Sequence, residues 1–288
     1  WPNAGRAIHG LGLRDQYEEI SVQLDRYLEL DTEGQELFST DTSIWPEKYG
    51  APAVGLYRPE LAQMMVNAVG MENISFDHEV ASVENVADKA ICHFSNGKSY
   101  EADLLIGADG INSKVREQLI GGVTFRPNEL YAYRFRSVIN LSDVDIDPAA
   151  QTGFYERDGW LSYIPIGKGK AYWFGSVSGA ETFDDFIAFF SGWKRTPIPE
   201  TLKKTPTDLL VQSPLQDVDG IPYKWTHGRI TLIGDAAHPM MPDMAQGASQ
   251  TFVDALVIRD VFARTRNVEE ALHEYEMKRR EVASAVVK

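Results

Sequence analysis

Cysteine is almost absent from this chain. Cys92 is the single cysteine among 288 residues, which excludes a disulfide within these residues and a cluster of thiolate metal ligands. It lies in the strand-like stretch 89–94, where a small apolar filler of the core is a better interpretation than a nucleophile. The sequence therefore favours a reducing compartment, and we expect a cytoplasmic protein.

Positive charge and long apolar runs are also scarce. Lysine and arginine number 28 against 42 aspartates and glutamates, a net charge of −14 at pH 7. Nucleic acids and anionic membranes are therefore disfavoured as partners, because binding to them needs clustered basic residues. No apolar run approaches the roughly 18 residues of a membrane span, and no basic-then-apolar leader opens the sequence. We expect a soluble monomer or homodimer.

The chain is nevertheless long enough to bury one large or two modest domains, since its 288 residues are 43% hydrophobic. Apolar periodicity predicts helices over 59–69, 114–119, 183–193, 200–210, 246–264 and 268–287. It predicts strands over 74–78, 79–85, 90–94, 104–106 and 230–233, and hairpins that pair 21–30 with 35–40 and 160–164 with 171–175. This order indicates an α/β domain interrupted by a mostly β, aromatic-rich insertion.

The most informative segment joins the strand-like run 229–233 to the helix-like run 248–264. Its residues 234–247 read GDAAHPMMPDMAQG. Asp235 lies at the tip of the strand, where a carboxylate accepts hydrogen bonds from ribityl or ribose hydroxyls. The free N–H groups at the helix start suit an electron-rich ring or an anion. The segment therefore predicts a site for a polyhydroxylated, phosphorylated cofactor.

A second turn of the same kind follows the apolar strand 104–106. Residues 103–116 read DLLIGADGINSKVR and resemble the Asp-Gly motif of the single-component flavoprotein monooxygenases, while 234–247 resembles their Gly-Asp motif. These are the FAD-dependent aromatic hydroxylases, such as salicylate, para-hydroxybenzoate and urate hydroxylases. Shorter segments similar to family motifs occur at 1–4, 58–61, 190–193 and 275–279.

The resemblance implies an α/β fold in which an incomplete, Rossmann-like FAD-binding domain carries an inserted, mostly β substrate domain, as in para-hydroxybenzoate hydroxylase. Residues 1–20, 51–125 and 221–288 would form the FAD-binding domain, and 21–50 and 126–220 the substrate-binding sheet. The Gly-x-Gly-x-x-Gly turn that holds the FAD pyrophosphate in the family is absent from the sequence. The resemblance therefore predicts that the first β-α-β unit is lacking, and that this segment alone binds FAD weakly or not at all.

The resemblance also implies roles for individual residues. Asp235 would bind the ribityl or ribose hydroxyls of FAD, and Arg58 would reach the cofactor from its helix. Asp109 would serve both FAD and the transient binding of NAD(P)H, and the backbone of Val80 would pass the adenine. The alternatives are a surface position for Arg58 and an ordinary strand valine at 80. The backbone N–H groups that would face the pyrimidine side of the flavin belong to Ala245, Gln246, Gly247, Ala248 and Ser249.

The activity that the family implies is monooxygenation. NAD(P)H would reduce FAD, O₂ would add to the reduced ring at C4a, and the hydroperoxyflavin would transfer one oxygen atom to an aromatic or other electron-rich small molecule. We expect a small aromatic or apolar planar substrate to pack on the aromatic middle section. Arg134 and Arg136 either bind a substrate anion, or they face solvent or form salt bridges. No side chain stands out as a catalytic acid or base, and no metal site is predicted.

Two departures from the family pattern leave an alternative open. The Gly-Gln-Gly of the family is Ala245-Gln246-Gly247 here, and alanine costs about 1 kcal/mol if that position needs a positive φ. Together with the missing glycine-rich turn, this keeps a non-catalytic flavin-fold protein as the alternative function. A hydrolase built on Asp235 and His238 is weaker, because no serine elbow or metal set accompanies the pair.

Overall fold

The computed structural model describes residues 1–218 and 221–287, which fold as two compact units. We call the first the sheet unit; it comprises Trp1–Arg6, Leu13–Ala68 and Pro127–Gln216. We call the second the motif unit; it comprises Ala7–Gly12, Val69–Arg126 and Asp217–Lys288. Among the helices of the described residues, none has the length and apolar character to cross a membrane.

Helices and strands are mixed along the whole chain. The helices are α1 (Pro2–Gly10), α2 (Arg14–Ile20), α3 (Trp45–Tyr49), α4 (Arg58–Val69), α5 (Lys114–Ile120), α6 (Phe183–Phe190), α7 (Ile198–Lys204), α8 (Gly247–Phe262) and α9 (Val268–Val287). The strands before α5 are β1 (Ser21–Leu24), β2 (Arg26–Leu30), β3 (Glu36–Asp41), β4 (Ala53–Leu56), β5 (Val80–Val86), β6 (Lys89–Phe94), β7 (Ser99–Ala102) and β8 (Leu105–Gly107). The later strands are β9 (Phe125–Pro127), β10 (Tyr133–Asn140), β11 (Ala150–Glu156), β12 (Gly159–Gly167), β13 (Lys170–Val177), β14 (Val211–Pro214), β15 (Gln216–Val218), β16 (Thr226–His227) and β17 (Ile230–Leu232).

The sheet unit is built on a seven-stranded sheet in the order β14-β10-β13-β12-β11-β2-β3. Neighbouring strands are antiparallel, apart from the parallel pair β11 and β2. Side chains alternate along each strand, so every second residue faces the core on one side of the sheet. That core is rich in aromatic residues from β10, β12, β13 and α6, among them Phe135, Tyr163, Trp173 and Phe186.

The motif unit contains a parallel pair of strands that positions both turns. β17 lies between β16 and β8, antiparallel to the first and parallel to the second. Because β8 and β17 run in the same direction, the turns that follow them leave the sheet at the same edge. A second, antiparallel sheet in the order β5-β6-β7 belongs to this unit. The buried core includes Trp225, Leu232, Val261 and Tyr275.

The local predictions are confirmed for most elements and wrong for three. No strand forms over 74–78, where Asp77 adopts a φ of 57°. The predicted strand 21–30 is two strands, interrupted at Asp25, whose backbone bonds to Ala149 instead. The predicted helix 200–210 is displaced to α7, which ends because Pro206 forces the preceding residue into an extended conformation, with ψ of 120° at Thr205.

The two units differ from the predicted domains in one respect. Residues 1–6, 13–20 and 51–68 fold with the seven-stranded sheet rather than with the two motifs. The reason is pairing, since β1 and β4 form a two-stranded sheet and Gly55 of β4 packs directly on Pro165 of β12. The predicted boundary between 220 and 221 falls at residues 219 and 220, which lie outside the described residues. The functional assignment of the two domains stays a prediction.

Candidate cofactor site

The Gly-Asp turn follows β17 directly. Gly234 begins a short 3₁₀ turn and has a φ of 58°. A Cβ atom at this position would lie 2.8 Å from Oγ1 of Thr251 in α8, so both the conformation and the close approach require glycine. The side chain of the next residue, Asp235, is exposed at the tip of the strand. This is where the sequence predicts the carboxylate that binds hydroxyl groups.

The start of α8 lies beside that carboxylate. A Cβ atom built on Gly247, the first residue of the helix, would be 3.7 Å from Oδ1 of Asp235. Gln246 precedes the helix and its side chain makes no capping hydrogen bond. Ala248 is exposed, whereas Ser249 is buried. The structure therefore brings Asp235 and the predicted 245–249 segment together.

Ala245 has the left-handed conformation that would favour glycine. Its φ is 49° and its ψ is 31°, and it ends the 3₁₀ turn Pro242–Met244. An L-residue in this region carries strain of about 1 kcal/mol. Position 245 thus has the positive φ at which alanine is costly. The strained residue lies directly before the helix start, where backbone N–H groups would face a flavin.

The Asp-Gly turn after β8 has a different local structure. Asp109 accepts three hydrogen bonds at the start of α5, from Oγ of Ser113 at 2.5 Å and from the backbone N–H groups of Lys114 at 2.8 Å and Val115 at 3.1 Å. Ser113 is the N-cap residue, and its hydroxyl accepts from the N–H of Arg116 at 2.9 Å. The carboxylate of Asp109 is therefore engaged in capping its own helix.

Arg116 joins the two turns and was not singled out by sequence reasoning. One terminal nitrogen donates to the carbonyl oxygens of Asp235 at 3.1 Å and Ala236 at 3.2 Å, and the other donates to Ile111 at 2.6 Å. The residue is only 3% exposed. Burial lowers the pKa of its guanidinium, while the charges of Asp109 and Asp235 oppose that shift. An arginine at the end of the Asp-Gly string is the sequence signal for this bridge.

Two further predicted residues line one cavity of the motif unit. Val80, at the start of β5, and Asp109 border a space of about 430 Å³, together with Cys92 and residues of β8. Its wall is otherwise largely apolar, which suits a flat ring. Arg58 lies elsewhere: it begins α4 in the sheet unit, and its side chain is exposed.

His238 is fully buried and pairs with a residue other than Asp235. Its Nε2 lies 2.6 Å from Oδ2 of Asp254, which also accepts from the backbone N–H of Gly234 at 3.0 Å. Arg279 of α9 donates from Nε to Oδ1 of the same carboxylate at 2.7 Å. His238 therefore does not form with Asp235 the pair that a hydrolase would need. In residues 1–218 and 221–287, no group of three or more His, Cys, Asp or Glu side chains is placed to hold a metal ion.

Sequence reasoning missed Asp254, although a signal was present. In α8 the buried residues follow helical spacing, and polar Gln250 and Asp254 share this stripe with apolar Ile258 and Val261. A charged residue on the buried stripe of a helix needs a partner of opposite charge. The partner, Arg279, lies on the buried stripe of the following helix.

One face of the seven-stranded sheet, opposite the aromatic core, carries its own row of rings. Tyr155 stacks on Trp160 at 5.7 Å between centroids, and Tyr172 stacks on Phe174 at 5.4 Å. Arg134 is 4% exposed and lies over the Trp160 ring at 4.5 Å, so the solvent-facing alternative for this arginine is wrong. A buried cation on an aromatic ring is a stable arrangement in its own right.

Arg136 lies on the same face as Arg134. It donates to Oγ of Ser213 at 3.0 Å and faces Tyr172. Burial raises the pKa of Tyr172, while the positive charges of Arg136, Arg58 and Arg134 lower it. Three guanidinium groups therefore act on one phenol, and this face is both aromatic and electropositive.

Comparisons with known proteins found a family model and relatives that cover most of this chain. A family model described as an FAD binding domain matches residues 41–288. The FAD-dependent urate hydroxylase of Klebsiella pneumoniae is 31% identical over 296 residues, which are 97% of this chain and 74% of that protein. The aurachin C monooxygenase/isomerase of Stigmatella aurantiaca is 29% identical over 301 residues, 99% of this chain and 75% of that protein.

The fold is also shared with a solved relative. The crystal structure of Klebsiella pneumoniae HpxO complexed with FAD and uric acid superposes with a TM-score of 0.88 at 27% identity, covering 100% of this chain and 75% of that one. The α/β architecture with an FAD-binding domain is therefore confirmed. Since a family model spans most of the chain and a relative is 31% identical across nearly all of it, this protein belongs to the FAD-dependent aromatic hydroxylases, the single-component flavoprotein monooxygenases.

Proposed function

We propose that this protein uses NAD(P)H and FAD to insert one oxygen atom from O₂ into a small aromatic or other electron-rich molecule. The observation that carries the proposal is the position of Asp235 beside Gly247, at the first turn of α8. A carboxylate next to the N–H groups of a helix start suits a cofactor that has hydroxyl groups on one side and an electron-rich ring on the other. The urate hydroxylase and the aurachin C monooxygenase share this class of reaction by name.

The residues of the turn have separate tasks in this proposal. Asp235 accepts hydrogen bonds from ribityl or ribose hydroxyls of FAD. The N–H groups at the start of α8 stabilise the negative charge that the pyrimidine side of the ring gains on reduction. Arg58 is proposed to donate to the cofactor, as a guanidinium suits phosphate and carbonyl oxygens. When bound, FAD supplies the redox chemistry and the activation of O₂ for which side chains have no equivalent.

The Asp-Gly side of the motif unit is proposed to serve the adenine end of the cofactor and the transient binding of NAD(P)H. Asp109 and Val80 both border the 430 Å³ cavity, which supports their placement near one ligand. Because α5 already takes the carboxylate oxygens of Asp109, this residue acts by holding the turn and by its charge.

The free edge of β8 is the proposed position of the pyrophosphate-binding strand. Within the described part of the chain, β8 pairs with β17 alone, and Ile106 of this strand is 38% exposed. An uncovered strand edge beside an apolar cavity is suited to pairing with a further strand. A Gly-x-Gly-x-x-Gly segment, which these 288 residues do not contain, would complete the parallel sheet there.

The substrate is proposed to bind on the aromatic face of the seven-stranded sheet. Planar rings stack well on Trp160, Tyr172 and Phe174. The guanidinium of Arg136 is half-buried on that face and suits a carboxylate, phenolate or enolate of the substrate. The face thus favours a ring with a negatively charged substituent.

The test begins with the visible spectrum of the purified full-length protein, including any residues encoded beyond these 288, after FAD is added. Bound oxidised flavin that bleaches with NAD(P)H, and bleaches faster when a small hydroxylated aromatic acid is present, is the expected result. Asp235→Ala should abolish FAD uptake, whereas Asp260→Asn, an exposed acid at the other end of α8, should leave it unchanged. Mass spectrometry of the product should show one added oxygen atom derived from ¹⁸O₂.

Different failures point to different conclusions. Absence of FAD uptake by the full-length wild-type protein contradicts the proposal. FAD uptake without oxidation of NAD(P)H, over a panel of aromatic acids and neutral planar compounds, favours the non-catalytic alternative.

A further inference from the structure

A buried polar cluster lies behind the Gly-Asp turn. We call it the clamp; its members are His238, Gln250, Asp254 and Arg279, each at most 5% exposed. Asp254 and Arg279 carry opposite charges and form a direct ion pair, with Nε 2.7 Å from Oδ1. Charged residues are almost never buried to this degree unless they are paired. The clamp joins three segments that are distant in sequence: the turn, α8 and α9.

The first arm of the clamp reaches the Gly-Asp turn. Oδ2 of Asp254 accepts the backbone N–H of Gly234 at 3.0 Å and faces Nε2 of His238 at 2.6 Å. These two residues flank Asp235. Because Arg279 holds the other oxygen of the same carboxylate, its position sets the path of the backbone that presents Asp235.

The second arm of the clamp reaches the start of α8. A terminal nitrogen of Arg279 donates to Oε1 of Gln250 at 2.6 Å. The side-chain nitrogen of Gln250 in turn lies 3.3 Å from Oε1 of Gln246, the residue before the helix. A single guanidinium therefore contacts, through one intermediate residue on each side, both segments of the candidate cofactor site.

The clamp is better suited to fixing the positions of the groups that it joins than to stabilising the fold. Nδ1 of His238 has no hydrogen-bond partner among the described residues, so the ring proton lies on Nε2, toward Asp254. Burying an ion pair costs desolvation, and apolar residues of similar volume often stabilise a fold equally well. What the hydrogen bonds from Arg279 to Asp254 and Gln250 add is one defined arrangement of the groups that they join.

We propose that Arg279 is a positioning residue for the flavin, which holds Asp235 through Asp254 and the start of α8 through Gln250. This inference rests on the proposed function, because it requires that these two segments bind FAD. Arginine suits the task since its planar fork presents separate donors at fixed angles, whereas a lysine ammonium is a single point of charge.

The experiment compares variants that cut one arm. Arg279→Lys keeps a positive charge opposite Asp254 and loses the fork, and Gln250→Leu removes the second arm while it leaves the ion pair intact. Arg280→Lys, on the exposed side of α9, is the matched control. FAD affinity is measured by quenching of flavin fluorescence, and amide hydrogen exchange over residues 234–249 is measured without FAD.

Arg279→Lys and Gln250→Leu should each weaken FAD binding by about tenfold, because a binding site tolerates only small displacements of its groups. The double variant should bind no more weakly than either single variant, since both changes cut the same arm. Exchange near the helix start should accelerate in both variants, with unchanged far-ultraviolet circular dichroism. Arg280→Lys should match the wild type.

The outcomes separate the inference from the function on which it rests. A full-length wild-type protein that takes up no FAD overturns the proposed function and the inference together. A wild type that binds FAD, with variants equal to it in affinity and exchange, overturns the inference alone. If the loss of FAD affinity in the double variant equals the product of the two single losses, the two residues do not act through the same arm. If Arg279→Lys does not fold, Gln250→Leu decides by itself.

Discussion

The two strand–turn–helix junctions of the motif unit have similar sequences but use their aspartates differently. Both turns follow strands of one parallel pair. In the first, α5 begins at Lys114, close enough for Oδ2 of Asp109 to accept two of its backbone N–H groups, while Oδ1 accepts from Oγ of Ser113. In the second, a loop separates the turn from α8, and Asp235 lies beside Gly247 instead. The carboxylate that lies close to the next helix thus caps it, whereas Asp235 is proposed to contact the cofactor.

Arg116 couples the two junctions, and its removal should have the largest effect. Arg116→Met leaves the carbonyl groups of Ile111, Asp235 and Ala236 without their shared donor. We expect the free energy of unfolding to fall by about 3 kcal/mol, since buried hydrogen bonds to charged groups contribute about 1.5–3 kcal/mol each. Urea denaturation measures the change. Arg266→Met, at an exposed site, should stay within about 0.5 kcal/mol of the wild type, and equal losses in both variants would contradict the bridge.

The second prediction compares the two aspartates directly. Asp109→Ala removes three hydrogen bonds at the start of α5 and should lower the free energy of unfolding by about 1 kcal/mol, the usual value of a helix cap. Asp235→Ala, at an exposed side chain, should lower the free energy of unfolding by less than Asp109→Ala does, while it abolishes FAD uptake. Urea denaturation and FAD titration of both variants test the contrast. A larger loss of stability for Asp235→Ala would reverse the assignment of cap and ligand group.

The third prediction concerns strain at the start of α8. Ala245 has a φ of 49°, so Ala245→Gly relieves left-handed strain and should stabilise the protein by roughly 0.5 kcal/mol after the greater flexibility of glycine in the unfolded chain is subtracted. Ala248→Gly lies inside the helix and should destabilise it by about 0.5–1 kcal/mol. Thermal unfolding of the two variants is the measurement. Changes of the same sign would show that position 245 is not strained.

The smallest effect is electrostatic and again separates the two aspartates. Burial raises the pKa of the Cys92 thiol, and the negative charge of Asp109 raises it further. Asp109→Asn should therefore shift the pH profile of Cys92 alkylation to lower pH, because the thiolate is the reactive form. Asp235→Asn should leave the profile unchanged. Iodoacetamide alkylation rates across a pH series check both variants. Identical pH profiles for the wild type and the two variants would show that the charge of Asp109 does not affect the pKa of Cys92.

Much of the fold could be predicted because its signals are local. The apolar period of 59–69 and 268–287 identifies α4 and α9, and turn residues locate both hairpins. The Gly-Asp segment could be recognised because its glycine, its aspartate and its helix start are close in sequence. The strand predicted over 74–78 is wrong because alternation alone does not register the left-handed residue Asp77.

The candidate site could be predicted in part only. Asp235 and the 245–249 segment are neighbours in sequence, and the structure places them together. The bridge from Arg116 and the clamp around Asp254 join residues far apart along the chain. The sequence marks Arg116 by its motif and Asp254 by its place on the buried stripe of α8, but it does not show which distant group each of them meets once it is buried.

The sequence by itself determined the family, the two turns and the aspartate at each, since short motifs encode backbone conformation and local hydrogen bonds directly. The tertiary structure alone decided which aspartate caps a helix, which arginines are buried, and that α9 holds the Gly-Asp turn through Arg279. The physical reason is that desolvation makes distant polar groups depend on one another. Their roles follow from the partners that packing supplies.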